Sequence, residues 1–96
     1  MKISEIVPNI RVDTEVIVRD FLGSKVIKTK FGSRTIFSYR VSDESGSANL
    51  VFWGNNPNLK NGSVIILKNV FSYKNSKSEI ELNYNDYSSI IVRSVL

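Results

Sequence analysis

The sequence has no cysteine and no histidine among its 96 residues. Disulfides, thiol nucleophiles, imidazole bases and Cys/His zinc sites are therefore all excluded. A general base would have to be Asp, Glu, Lys or Tyr, and no glycine-rich phosphate loop is present. Proline is scarce: Pro8 and Pro57 both sit in polar surroundings that read as loops. No apolar run reaches membrane-spanning length. The N-terminal "MKISEIVPNI" lacks the apolar core of a signal peptide. The expectation is an intracellular protein that is not an enzyme, with no cofactor, no metal, no membrane contact and no small-molecule substrate.

What is present is an ordinary apolar share of 42%. A chain of this length makes one domain, residues 1–96, with a core sufficient to fold without staples. Lys and Arg number 13 against 9 Asp and Glu, a formal charge of +4. That excess suits a polyanionic partner without proving one.

β-Branched and aromatic residues recur between turn residues, and helical periodicity is hard to find. The segments "TEVIVRDFL" (Thr14 to Leu22), "SRTIFSYRVSD" (Ser33 to Asp43), "SANLVFW" (Ser47 to Trp53), "SVIILKNVFSY" (Ser63 to Tyr73) and "SEIELNY" (Ser78 to Tyr84) read as strands. Gly23 and Ser24 suit a bulge or bend after the first. The tail "SSIIVRSVL" (Ser88 to Leu96) fits either a sheet extension or a short helix. Turn chemistry separates the strands: "SDESG", an Asn61-Gly62 pair, and "KNSKS". The connection from Trp53 to Ser63 is too short for a long helix. Five strands at this size, the first curved, suggest an all-β, five-stranded barrel of the OB type, with an SH3-like barrel as the nearest rival.

Alternation along the strands sorts their faces. Phe37, Tyr39 and Val41 oppose Ile36, Ser38 and Arg40. Ala48, Leu50 and Phe52 oppose Asn49, Val51 and Trp53. With Leu50 and Phe52 inside, Trp53 lies outside. It then either caps a barrel end or serves as a platform on which bases stack.

"VSDESGSANLVFW" (Val41 to Trp53) resembles the "V-x-D-x-[ST]-G-x-[IA]-x-L-x-x-W" block of single-stranded DNA-binding OB domains. The likeness is to one-domain proteins such as the B subunit of the SOSS complex and archaeal single-stranded DNA-binding proteins. "ISEIVPNI", "KVIKTKFGSR" and "NLKNGSVIIL" resemble further blocks of the same pattern, in the same order. The resemblance implies sequence-independent single-stranded DNA binding in DNA repair or genome maintenance. It also implies a scaffold-protein partner in the eukaryotic branch, where the location would be the nucleus. It assigns base stacking to Trp53 and, by position, to Phe71. Tyr73 is a possible substitute for a second aromatic on strand four. On strand five the family's aromatic position holds Asn83, and Tyr84 shares the face of Ile80 and Leu82, so Tyr84 is either binding surface or core.

A single strand also needs cations along its path. The loop "SKVIKTKFGSR" supplies Lys25, Lys28, Lys30 and Arg34, with Phe31 at its tip. Arg40 falls on the face of its strand opposite Phe37, Tyr39 and Val41, the expected Trp53 face, and the strand-four hairpin adds Lys74 and Lys77. Asn55 and Asn56 read as residues of the Pro57 turn. Asp43 and Glu44 read as turn chemistry, and Glu79 and Glu81 as partners for lysines across the hairpin or, more weakly, as cation ligands. Two rivals remain open: an OB assembly subunit, SOSS-like or telomere-capping, that binds mainly protein, and a single-stranded RNA binder.

Overall fold

A computed structural model describes residues 1–94 of the chain. After a short 3-10 turn at Ile3–Glu5, six strands follow: β1 Arg11–Thr29, β2 Gly32–Asp43, β3 Gly46–Trp53, β4 Val64–Lys74, β5 Ile80–Tyr84 and β6 Ser89–Ser94. β1 begins with Val12, Thr14, Val16 and Val18 buried and Arg11, Asp13 and Glu15 exposed. This is the two-residue period of a strand with one wet face.

The barrel closes because β1 is long enough to pair twice. Its first part, from Arg11 to Ile17, lies antiparallel to β4. From Ile17 onward it lies antiparallel to β2. β2 pairs with β3, β3 runs parallel to β5, and β5 pairs with β4. The circuit β1-β2-β3-β5-β4-β1 has no gap. Closure of this kind removes the unpaired edges that make open sheets prone to association. β1 must bend to serve two neighbours, and its register shifts between Val18 and Asp20 and between Phe21 and Gly23.

The tail is sheet, not helix: β6 pairs antiparallel with the first half of β4. It occupies the same edge of β4 that β5 occupies farther along. The Asn85–Ser88 turn interrupts what would otherwise be one strand. Asn85 holds it, accepting from the Tyr87 N–H at 3.0 Å through Oδ1 and from the Ser88 N–H at 2.9 Å through its carbonyl. The interruption pushes Asp86 and Tyr87 outward. Residues 95 and 96 of the expected tail segment lie outside the described residues.

The first strand is longer than its composition suggested. The segment expected to be a basic loop is a ladder, with Lys25 opposite Ile36 and Lys28 opposite Ser33. It forms a two-stranded arm beyond the barrel. Gly23 and Ser24 interrupt the apolar run after Leu22, so pattern alone cuts the strand there; cross-strand pairing extends it.

Tyr39, Leu50, Phe52, Ile65, Leu67 and Leu82 fill the interior together with the buried valines of β1, β2 and β4. The Tyr39 hydroxyl donates to Asn56 Oδ1 and accepts from the Leu59 N–H at 3.3 Å. The β3–β4 connection is thereby pinned to the core. Asn56 also accepts from the Asn58 N–H at 2.9 Å, so it serves this turn as expected.

Asp43 closes the opposite end. Its Oδ2 accepts from the Ile3 N–H at 2.8 Å, and its Oδ1 from the Ser45 N–H at 2.7 Å, the Ser45 hydroxyl at 2.6 Å and the Gly46 N–H at 3.2 Å. The N-terminal turn is thus held where Ile3 and Ile6 plug the barrel. Desolvation raises the Asp43 pKa, but the hydrogen bonds from Ser45, Ile3 and Gly46 outweigh it and hold the carboxyl below its ordinary value. A depressed carboxyl contributes stability above its unfolded value, about 3.9, that is lost as pH falls through the lower folded value. Asp43→Ala should therefore cost about 1–3 kcal/mol at neutral pH, the range for orphaning charge-assisted hydrogen bonds. Thermal melts at pH 7 and pH 2.5 check this: the gap between variant and wild type should narrow at the lower pH.

Candidate nucleic-acid interface

The register fixes what the outer face of the barrel carries. Phe71 stands opposite both Arg11 on β1 and Asn83 on β5. Asn83 stands opposite Val51 on β3, and Val51 opposite Ser38 on β2. Directly opposed residues share a face, so these five make one row across four strand boundaries. Tyr73, Glu81, Asn49 and Arg40 make a second row, and Trp53 opposite Ile36 begins a third. Val51 is buried although it faces outward and lies outside the core cluster. The middle of this face is therefore covered by its own neighbours.

Trp53 is half-buried, and its indole N–H donates to Asn83 Oδ1 at 3.2 Å. The Asn83 amide reaches on to the Phe71 carbonyl at 3.4 Å. A satisfied N–H removes the main cost of covering the ring and limits its rotation. What remains for a ligand is the flat apolar face. Arg34 flanks it: its guanidinium lies over Gly54, where a Cβ would stand 3.6 Å from Nη2. Gly54 has φ of +100°, a left-handed conformation that glycine adopts without strain.

On the other side stands Arg11. Its guanidinium carbon is 5.3 Å from the Phe71 ring centre and 5.9 Å from that of Tyr87. It also donates to the Asn69 carbonyl at 3.1 Å. Trp53, Phe71, Asn83, Arg11, Arg34, Asn85, Asp86 and Tyr87 together line an open groove of about 450 Å³. Two guanidinium groups and three aromatic rings thus share one groove. Such a groove offers flat apolar surfaces for planar groups and fixed positive charge for anions beside them.

No family model and no curated protein matches the sequence. Solved structures do match the fold. The OB domain of Ta0387 from Thermoplasma acidophilum superposes with a TM-score of 0.84 at 14% identity, covering 100% of this chain and 88% of that one. The second OB-fold domain of replication protein A from Methanococcus maripaludis gives 0.79 at 21% identity, covering 100% and 97%. A replication protein A heterotrimer bound to single-stranded DNA gives 0.79 at 16% identity, covering 99% of this chain and 25% of that chain. The chain is an OB-fold barrel. The SH3-like alternative falls away, and the OB circuit explains the parallel β3–β5 contact.

The residues named from the sequence divide between the groove and other places. Trp53, Phe71 and Arg34 line the groove, and Tyr73, about half exposed, lies one row farther along the same face. Tyr84 packs against Phe52 with ring centres 4.9 Å apart, on the core side. It is partly buried against the core and also lines the depression beside Trp53 and Asn55. Arg40 is on the expected face but is already engaged. It donates to Asn49 Oδ1 at 2.9 Å and Ser47 Oγ at 2.8 Å, and pairs with Glu79 at 3.6 Å. Glu79 thus meets an arginine rather than a lysine, and Glu81 accepts from the Asn75 amide at 3.2 Å.

Lys28 leaves the arm on the side of Thr35 and Phe37, opposite to Ile36 and Trp53. The register puts Lys25 and Arg34 on the Trp53 side instead. Lys30 sits at the turn, its ammonium 5.6 Å from the centre of the exposed Phe31 ring. Lys74 opposes Ile80 and so leaves β4 on the side away from Tyr73. Sequence reasoning missed Arg11, Asn85, Asp86 and Tyr87 in the groove. Arg11 joins through the β1–β4 register, and the others through the turn that breaks β5 from β6. Neither has a local sequence signal.

Asn83→Ala should release the indole. Trp53 is the only tryptophan, so its emission reports this directly. The expected result is easier acrylamide quenching and a red-shifted emission, with a stability loss of about 1 kcal/mol. Unchanged quenching would show that Asn83 does not hold the ring.

Proposed function

We propose that this protein binds single-stranded nucleic acid, DNA in the first instance, across the groove between Arg11 and Arg34. Bases stack on Trp53 and Phe71 while phosphates follow Arg34, Lys25 and Arg11, with Lys30 at the arm tip. The observation that carries this is the Trp53 indole, fixed at its edge by Asn83 and lining a groove that also holds Arg11 and Arg34. Stacking does not depend on base identity, so the binding is largely sequence-independent. The replication protein A heterotrimer that matches the fold is bound to single-stranded DNA, which supports DNA as the ligand. A role in DNA repair or genome maintenance, intracellular and nuclear if the source is eukaryotic, extends the same reading.

A protein partner is the second reading, and β6 favours it. Ile91, on one side of the strand, is 52% exposed and Val92, on the other, 47%, and neither lines the aromatic groove. A scaffold subunit held along this strand would leave the Trp53 groove to nucleic acid.

The test is binding to oligo-dT, the matched RNA and duplex DNA at several salt concentrations. Oligo-dT should bind tightest. Trp53→Ala should weaken it by about 1–3 kcal/mol, one stacked base. With four cations on phosphates, log K should fall against log salt with a slope of about −3, at ~0.7 per contact for single strands. Equal affinity for duplex and single strand, or an unaffected Trp53→Ala, would remove the stacking platform.

A further inference from the structure

Asp86 is out of character with the rest of the groove. It lines both the Arg11–Trp53 groove and the adjoining depression formed by Trp53, Asn55, Pro57 and Tyr84. It therefore stands beside the indole at the boundary of the two. Among the described residues no hydrogen bond or ion pair engages its carboxylate, while Arg11, in the same groove, is held by Asn69 and the rings of Phe71 and Tyr87. It sits exposed in the turn that Asn85 holds, Asn85 accepting from the backbone N–H of Tyr87 at 3.0 Å and from Arg11 at 3.4 Å. A free carboxylate is a poor neighbour for phosphate. At the nucleotide on Trp53 a strand would keep its backbone toward Arg34, beside Gly54, leaving the base edge to face Asp86.

A carboxylate only accepts hydrogen bonds. Among the bases, guanine presents two adjacent donors, the N1–H and the N2 amino group, which fit two carboxylate oxygens. Cytosine and adenine each present one amino group beside an acceptor. Thymine presents its single N–H between two carbonyl oxygens that repel a carboxylate. We propose that Asp86 makes the position stacked on Trp53 selective for guanine over thymine, on a platform otherwise indifferent to base. This rests on the single-strand reading given above and deepens it.

The experiment scans one guanine through an oligo-dT background and measures affinity with wild type, Asp86→Ala and Asp86→Asn. At one position guanine should bind about fivefold tighter than thymine, the lower end of the range for a two-point contact, because the groove is open to water. Deoxyinosine there keeps N1–H and lacks the amino group, so it should recover only about half of that gain. Asp86→Ala should bring the ratio of guanine to thymine to one, chiefly by loss of the guanine gain, and Asp86→Asn should reduce it. Unchanged melting temperatures are expected, since the side chain lies exposed in a turn. Three results would overturn the proposal: equal wild-type binding of both oligonucleotides, a preference that survives in Asp86→Ala, or a rise in affinity for both oligonucleotides by the same factor in that variant. Wild type that binds no oligonucleotide would instead overturn the single-strand reading itself.

Discussion

Phe52 lies between the rings of Tyr39 and Tyr84, with centres 5.7 and 4.9 Å away, and is 3% exposed. Its removal from the core would cost about 3–5 kcal/mol, as for other buried aromatics. A one-residue slip of β3 would expose Phe52, Leu50 and Ala48 together. The strand is therefore locked in register, and Trp53, the next residue, has no choice of side. The core sets the direction of the ring, and Asn83 across the parallel β3–β5 contact sets its angle. The external face is built from the inside outward.

Charge on that face is divided between cations that hold the protein together and cations left for a ligand. Arg40, tied to Asn49, Ser47 and Glu79, braces β2, β3 and the β4–β5 hairpin. Its pair with Glu79 is partly exposed and contributes at most about 1 kcal/mol. A phosphate there would have to displace a carboxylate. Arg34 lies over Gly54 beside the indole with no carboxylate among its described partners. Arg11 is intermediate: it rests on aromatic rings and a carbonyl, contacts that leave its full charge in place. A net charge of +4 is therefore a weak guide to where a polyanion sits. Geometry separates the available charges from the neutralised ones.

The break between β5 and β6 is the other feature on which the face depends. A continuous strand would leave the groove open beyond Asn83. The Asn85–Ser88 turn instead raises Asp86 and Tyr87 as a wall beside Trp53 and Phe71. The same turn lets β6 rejoin β4 and cover Leu67 with Ile90. One turn thus serves both the covering of the β4 edge by β6 and the shape of the groove.

The strand positions, the inside-outside alternation of β2 and β3, the bulge near Gly23 and the turn role of Asn56 were legible in the residues. Each depends on neighbours within a few positions, where side-chain period and turn chemistry act directly. The resemblance to single-stranded DNA-binding OB domains supplied Trp53 and Phe71 as stacking candidates. The length of β1, the fate of the tail, the engagement of Arg40, the inward turn of Tyr84 and the arrival of Arg11 and Asp86 beside Trp53 were decided only by tertiary structure. These depend on register between strands distant in sequence. A shift of one residue moves a side chain through the sheet, and no local pattern records that shift.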